Sequence, residues 1–200
     1  MNRIFLTLFL LISLSLASPM AFAQTKTQKS DEILRKARQL DLLNHILPLV
    51  LTKSQIEQLL TPIEKCRKKV KEIEGMEADD LIKMETKVDA VLAKGYQNDL
   101  VPSRDLLREM NRLFNAFRIR RQIAASENAD IMLEAMKKIL NAGQLTTAEK
   151  SIDLKAYDPT ADPEKISADD KLKFFIKDIL LDPLSYDVLT KMLKDSKNKP

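Results

Sequence analysis

The sequence encodes an all-α protein built on a long antiparallel helical hairpin, about residues 53–94 and 103–142, with shorter N- and C-terminal helices packed on it. Three observations point there. Glycine occurs only at Gly75, Gly95 and Gly143, tryptophan is absent, and Lys, Glu, Leu, Ala and Ile dominate, as in long helices with solvated charged faces. Two stretches carry apolar residues in alternating steps of three and four, the spacing of a helical seam. The alternating β-branched runs that mark strands are almost missing.

The first 23 residues read as a secretory signal. Arg3 supplies the positive start, Ile4 to Ala17 form a nearly unbroken apolar run, and Ala21-Phe22-Ala23 has the small-x-small pattern that signal peptidase accepts. Cleavage between Ala23 and Gln24 is expected, followed by residence in the periplasm or outside the cell. The run is too short and wrongly flanked to span a bilayer, and no later segment approaches the roughly 18 apolar residues required. Without Arg3 the formal net charge falls from +4 to +3, too mild a balance to imply nucleic acid.

Residues 24–30 are polar and are expected to form a disordered leader, 31–195 a single helical domain, and 196–200 a disordered tail. Asp31 can cap a helix that turns Ile33, Leu34, Ala37, Leu40, Leu43 and Ile46 toward one side, with Pro48 as its end. Next, Leu51-Thr52-Lys53-Ser54-Gln55-Ile56 carries a capping box and a staple: Thr52 accepts from the Gln55 N–H, Gln55 reaches back, and Leu51 packs on Ile56. The helical pattern then runs to about Lys94, with Gly95 suited to a left-handed cap. Thr61-Pro62-Ile63-Glu64 is also a start signal, but Leu59, Ile63 and Cys66 keep phase across it, which favours one kinked helix over two.

The return arm starts near Ser103 and ends at Ala142, with Gly143 as its stop. Setting Val91 opposite Leu106 gives position sums of about 197 along the seam. Met84 then meets Leu113, Leu81 meets Phe117, and Ile73 meets Ala124. Glu77 interrupts the first seam where Arg120 and Arg121 interrupt the second, so an ion pair that fixes the register is expected there. Beyond Gly143, Leu145-Thr146-Thr147-Ala148-Glu149 reads as a second capping box opening a short helix. Ser167 with Asp170, and Asp182-Pro183, open two apolar tail helices that must fold back onto the hairpin, beside the Ile33–Ile46 helix, to be buried.

Candidate chemistry is sparse. His45 is the sole histidine and Cys66 the sole cysteine, so a multi-His metal centre, a histidine charge relay and an internal disulfide are excluded. Cys66 is read either as a buried thiol in the seam or as half of an intermolecular bridge. No Gly-rich phosphate loop or nucleophile elbow occurs, and no cofactor and no enzyme activity are expected. Lys65, Arg67, Lys68, Lys69 and Lys71 form the densest basic cluster, read either as interhelical charge pairing with Glu127, Asp130 and Glu134 or as a cationic binding surface. Met76, Met84, Met110, Met132 and Met136 are read as core or as an adaptable binding face.

An exported helical chain with Leu51-Thr52-x-x-Gln55 resembles the Spy/CpxP-like periplasmic proteins, whose hallmark is a repeated Leu-Thr-x-x-Gln motif. Leu145-Thr146-x-x-Glu149 stands as the second copy, with Glu149 where the family has Gln. The resemblance implies an ATP-independent chaperone or envelope-stress role and a dimeric cradle of helices. The longer hairpin and the apolar tail after Ser167 depart from that pattern. Other polypeptides of the cell envelope, or a second copy of the chain in a homodimer, are the expected partners. The alternative expectation is an adaptor docking one envelope partner.

Overall fold

A computed structural model describes residues 18–98, 101, 103–157, 159–160 and 162–195. The signal reading of residues 1–17 and the tail reading of 196–200 fall outside these. Among the described residues the fold is all-α, with a long helix pair at its centre. The chain divides into two compact units, Met1–Asn44 and His45–Pro200.

The described part of the first unit is one helix, α1 (Ser18–Ile46), whose last two residues belong to the second unit. It begins well before Asp31 and runs through 24–30, where a disordered leader was expected. Gln24-Thr25-Lys26-Thr27-Gln28-Lys29 contains neither Gly nor Pro, so nothing in it breaks a helix. Ala23 and Gln24 lie inside this helix. Ile33, Leu34 and Leu40 are exposed rather than packed, whereas Leu42 and Ile46 near the end of the helix are fully buried.

In the second unit a 3₁₀ turn (Leu47–Leu49) leads to α2 (Lys53–Asn98), α3 (Arg104–Ile139), α4 (Ala142–Lys150), the short α5 (Leu154–Tyr157), α6 (Ala168–Phe175), a π-helical turn (Ile176–Leu180) and α7 (Ser185–Asp195). At 1.5 Å per residue α2 and α3 are about 69 and 54 Å long. Helix α2 is continuous through Pro62. An interior proline costs about 3 kcal/mol, but Leu59, Ile63 and Cys66 are all at most 1 % exposed, and each buried apolar side chain returns about 1.5–3 kcal/mol. Burial therefore prevails over the broken turn.

Gly95 does not stop α2, which continues to Asn98; no described glycine has a positive φ. The left-handed residue is instead Val50, at φ 47°, a conformation that strains a β-branched side chain by about 1–3 kcal/mol. Ser103 caps α3 as expected, its Oγ accepting from Leu106 N at 3.2 Å. Helix α3 ends at Ile139, three residues before Ala142, and Gly143 lies within the next helix.

The tail packs onto the hairpin base. Helix α7 lies against α2, α6 against α3 and α4, and the π turn against α3. The turn carries a Leu181 N–H to Ile176 C=O bond of 2.8 Å, and this widened spacing lets Ile176, Ile179 and Leu180 all be fully buried. Ion pairs Lys137–Asp169 and Lys173–Asp130, at 2.8 and 2.7 Å, fasten α6 to α3. The core therefore sits at the base, around Leu59, Ile63, Met132, Met136, Phe175 and Leu189. Beyond Glu77 no described residue of α2 is buried. The distal hairpin is two helices thick.

Candidate functional site: an apolar groove along the hairpin

The hairpin base is tied by two capping boxes that face each other. Thr52 N–H donates to Gln55 Oε1 at 3.0 Å, and Gln55 N–H to Thr52 Oγ1 at 3.2 Å. At the start of α4, Asn141 N–H donates to Gln144 Oε1 and Gln144 N–H to Asn141 Oδ1, both at 3.0 Å. The two glutamines then join reciprocally: Gln55 Nε2 donates to Gln144 Oε1 at 2.9 Å and Gln144 Nε2 to Gln55 Oε1 at 3.0 Å. Gln55 also donates to Ile139 C=O, and Gln144 to Leu49 C=O, each at 3.0 Å.

This overturns the placement of the second motif. Leu145, Thr146 and Glu149 lie inside α4, and Thr147 Oγ1 bonds back to Gly143 C=O at 2.9 Å. The residues that answer Thr52 and Gln55 are Asn141 and Gln144. Asn caps helices as well as Ser or Asp does, so Leu140-Asn141-x-x-Gln144 was available as a signal, hidden by reading Gly143 as a stop. A Cβ at Gly143 would stand 3.3 Å from Asn141 Oδ1. Glycine there gives the capping side chain its room.

Above the base, Glu77 and Arg121 meet across the seam. Arg121 Nε donates to Glu77 Oε2 at 2.8 Å, and its Nη2 bonds the same oxygen. The Glu77 side chain is 3 % exposed and that of Arg121 65 %. The hydrogen bond from Glu77, then its charge, raises the guanidinium pKa above its usual value. Arg120 turns to Asp80, 3.8 Å away, and to the Phe117 ring. With Gln55 beside Ile139, Cys66 beside Asn128 and Lys87 beside Glu109, the register holds a nearly constant sum along the arms.

One side of the seam is open. A depression of about 710 Å³ is lined by Glu77, Leu81, Phe114, Phe117 and Arg121. It shares Glu74 and Ala125 with one of about 470 Å³ toward the base, and Leu81 and Phe114 with one of about 250 Å³ toward the tip. The three form one groove, from Cys66 to Asp89 on α2. Val70, Leu81 and Phe114 are each more than two-fifths exposed, and Met84 and Met110 line the distal part half-buried. Met132 and Met136 are core, while Met76 is exposed. Two buried acceptors in the groove lack donors, Glu77 Oε1 and Asn128 Oδ1.

The basic cluster is not one surface. Arg67 stacks over the Tyr186 ring at 4.5 Å and approaches Glu64 at 3.7 Å. Lys69 pairs with Glu127 across the seam. Lys71 lines the groove, and Lys65 and Lys68 are exposed. Successive helical residues turn about 100°, so five near-consecutive cations cannot share a face.

Cys66 is a buried thiol, donating to Asn128 C=O at 3.8 Å. Burial raises its pKa from 9.0, against the opposing pull of Lys65 and Lys69. The thiol's contribution to stability is thus fully present below pH 9.0 and is lost as pH rises toward the folded-state value. Ellman's reagent should label it slowly at pH 8 in the native protein and at once in denaturant. Cys66→Ala should remove part of the alkaline decline in stability; an unchanged pH profile would refute the assignment.

Fold and groove define a class: an all-α hairpin protein with an open apolar seam. The chain matches no protein-family model, no curated protein and no solved structure. Among the described residues no helix is long and apolar enough to cross a membrane, and no group of three or more metal-ligating side chains occurs.

Proposed function

We propose that the protein is an exported, non-enzymatic polypeptide binder that acts without ATP in the cell envelope, in the manner of a chaperone. The supporting observation is the groove: Val70, Leu81 and Phe114 lie open beside half-buried methionines along a hairpin two helices thick. Contiguous exposed apolar surface marks an interaction site, and two helices with an open seam accept the apolar stripe of a third. Flexible methionines let such a surface repack against different sequences. Export rests on residues 1–23, and the chaperone role accords with the resemblance carried by Leu51-Thr52-x-x-Gln55.

Suppression of aggregation by the purified protein tests the reading. Leu81→Asp with Phe114→Asp, both at half-exposed positions, should keep the helical circular dichroism and raise the concentration giving half-protection about tenfold. Lack of protection of any unfolded client at several-fold excess would remove the chaperone role. A single stoichiometric partner in pull-downs would replace it with an adaptor, and a doubled mass in solution that occludes the groove would assign it to a second copy of the chain.

A further inference from the structure

The groove differs in character along its length, and at its basal end a third element joins its lining. There Lys177, Leu181 and Pro183, from the π turn and the approach to α7, stand across from Cys66, Val70 and Ala125 of the hairpin. Three cations, Arg67, Lys71 and Lys177, line this end against one carboxylate, Glu74. Asn128 also lines it, 2 % exposed, with its Oδ1 buried and lacking a donor. Its Nδ2 donates to Cys66 C=O at 3.4 Å, so the reversed amide would set two carbonyl oxygens together, and the orientation is fixed.

An apolar cavity, an excess of cations and an orphan acceptor together match one kind of ligand group. We infer that the basal end receives the free C-terminus of a bound polypeptide: its last apolar side chain in the 470 Å³ cavity, its carboxylate against Lys71, Lys177 and Arg67, and its last N–H toward Asn128 Oδ1. The rest of the segment lies along the groove toward Leu81 and Phe114. Charge-assisted bonds to carboxylate exceed those to a neutral amide, which makes terminal charge the discriminating feature. This inference rests on the polypeptide-binding reading and gives that groove a direction.

Fluorescence anisotropy with an N-terminally labelled apolar decapeptide ending in leucine, as free acid and as C-terminal amide, tests it on the purified protein. The free acid should bind about tenfold tighter than the amide, and Lys71→Gln with Lys177→Gln, both exposed positions, should erase that difference with helicity unchanged. Asn128→Leu should weaken both forms. Equal affinity of acid and amide would overturn the inference while leaving polypeptide binding intact. Failure of both peptides to bind, with aggregation still suppressed, would do the same; loss of both activities would remove the two readings together. Displacement of the peptide by equimolar dodecanoate would overturn the assignment to a polypeptide terminus in favour of a small amphiphile.

Discussion

Gln144→Ala should lower stability by about 3 kcal/mol, since each buried group left without its partner costs about 1–3 kcal/mol. Gln144 is 9 % exposed, and its one amide serves the Asn141 N–H, the Leu49 carbonyl and the Gln55 amide. Leu49 is itself 1 % exposed, so water does not replace the lost donor without opening the base. Truncation also removes half of the capping box that starts α4. For a chain of this size such a loss lowers Tm by about 6–12 °C. Gln55→Ala should cost less, about 1–2 kcal/mol, because Gln55 is only half-buried and the Thr52 N–H it caps is open to water. The two substitutions together should destabilise by about 1 kcal/mol less than their separate effects added, as expected for residues in one network. Urea titrations of the four proteins give the coupling. Strict additivity would mean that the amide pair is two independent caps.

The way these residues are distributed explains what could be read in the sequence. The Thr52–Gln55 box was legible because a capping box is local: its donor, acceptor and staple lie within six residues. The Asn141–Gln144 box was equally local, but Gly143 between them drew the reading toward a helix stop. Glycine serves there as space for Asn141 Oδ1 and not as a left-handed cap. Gly95 misled in the same direction, because a glycine near the end of a pattern has two uses and sequence does not separate them. The hairpin register was legible for a different reason. Glu77 and Arg121 break two otherwise apolar seams at the same height, and only one alignment brings the breaks together.

What could not be read was which face of the hairpin stays open. That depends on where the tail lands, and the apolar pattern of 172–193 says only that the tail must be buried somewhere. Its settling on the basal halves of α2 and α3 leaves the distal seam bare and sets Lys177, Leu181 and Pro183 at the groove's basal end. The basic cluster shows the same limit. Arg67, Lys69 and Lys71 are near neighbours in sequence, yet Lys69 meets Glu127 across the seam while Arg67, stacked on Tyr186, and Lys71 line the groove one turn apart. Neighbours along a helix share a region and not a surface.

Arg121→Ala should be strongly destabilising although Arg121 is largely exposed, and the reason lies with its partner. Glu77 is 2 % exposed, one of its oxygens has no donor, and Arg121 supplies both hydrogen bonds to the other. Removing the guanidinium leaves a buried carboxylate with neither charge nor bond to balance its lost hydration, whereas removing the carboxylate leaves an arginine that solvent already reaches. The two halves of the pair are therefore unequal. Arg121→Ala should lower Tm by several degrees. Glu77→Leu, which replaces the interruption with an apolar residue fitting the seam beside Phe117 and Leu81, should leave Tm unchanged or raise it. In the Arg121→Ala background, Glu77→Leu should restore most of the loss. The register is where the stabilised form should pay nothing in heat and something in specificity: with both breaks gone, one apolar seam can slide against the other by a heptad. Cysteines placed at 87 and 109, whose native side chains Lys87 and Glu109 pair across the two arms, should be joined by a short bismaleimide more completely in the parent protein than in the Glu77→Leu, Arg121→Leu double variant. Equal cross-linking in both would show that the pair adds nothing to register, and that packing at the base alone aligns the hairpin.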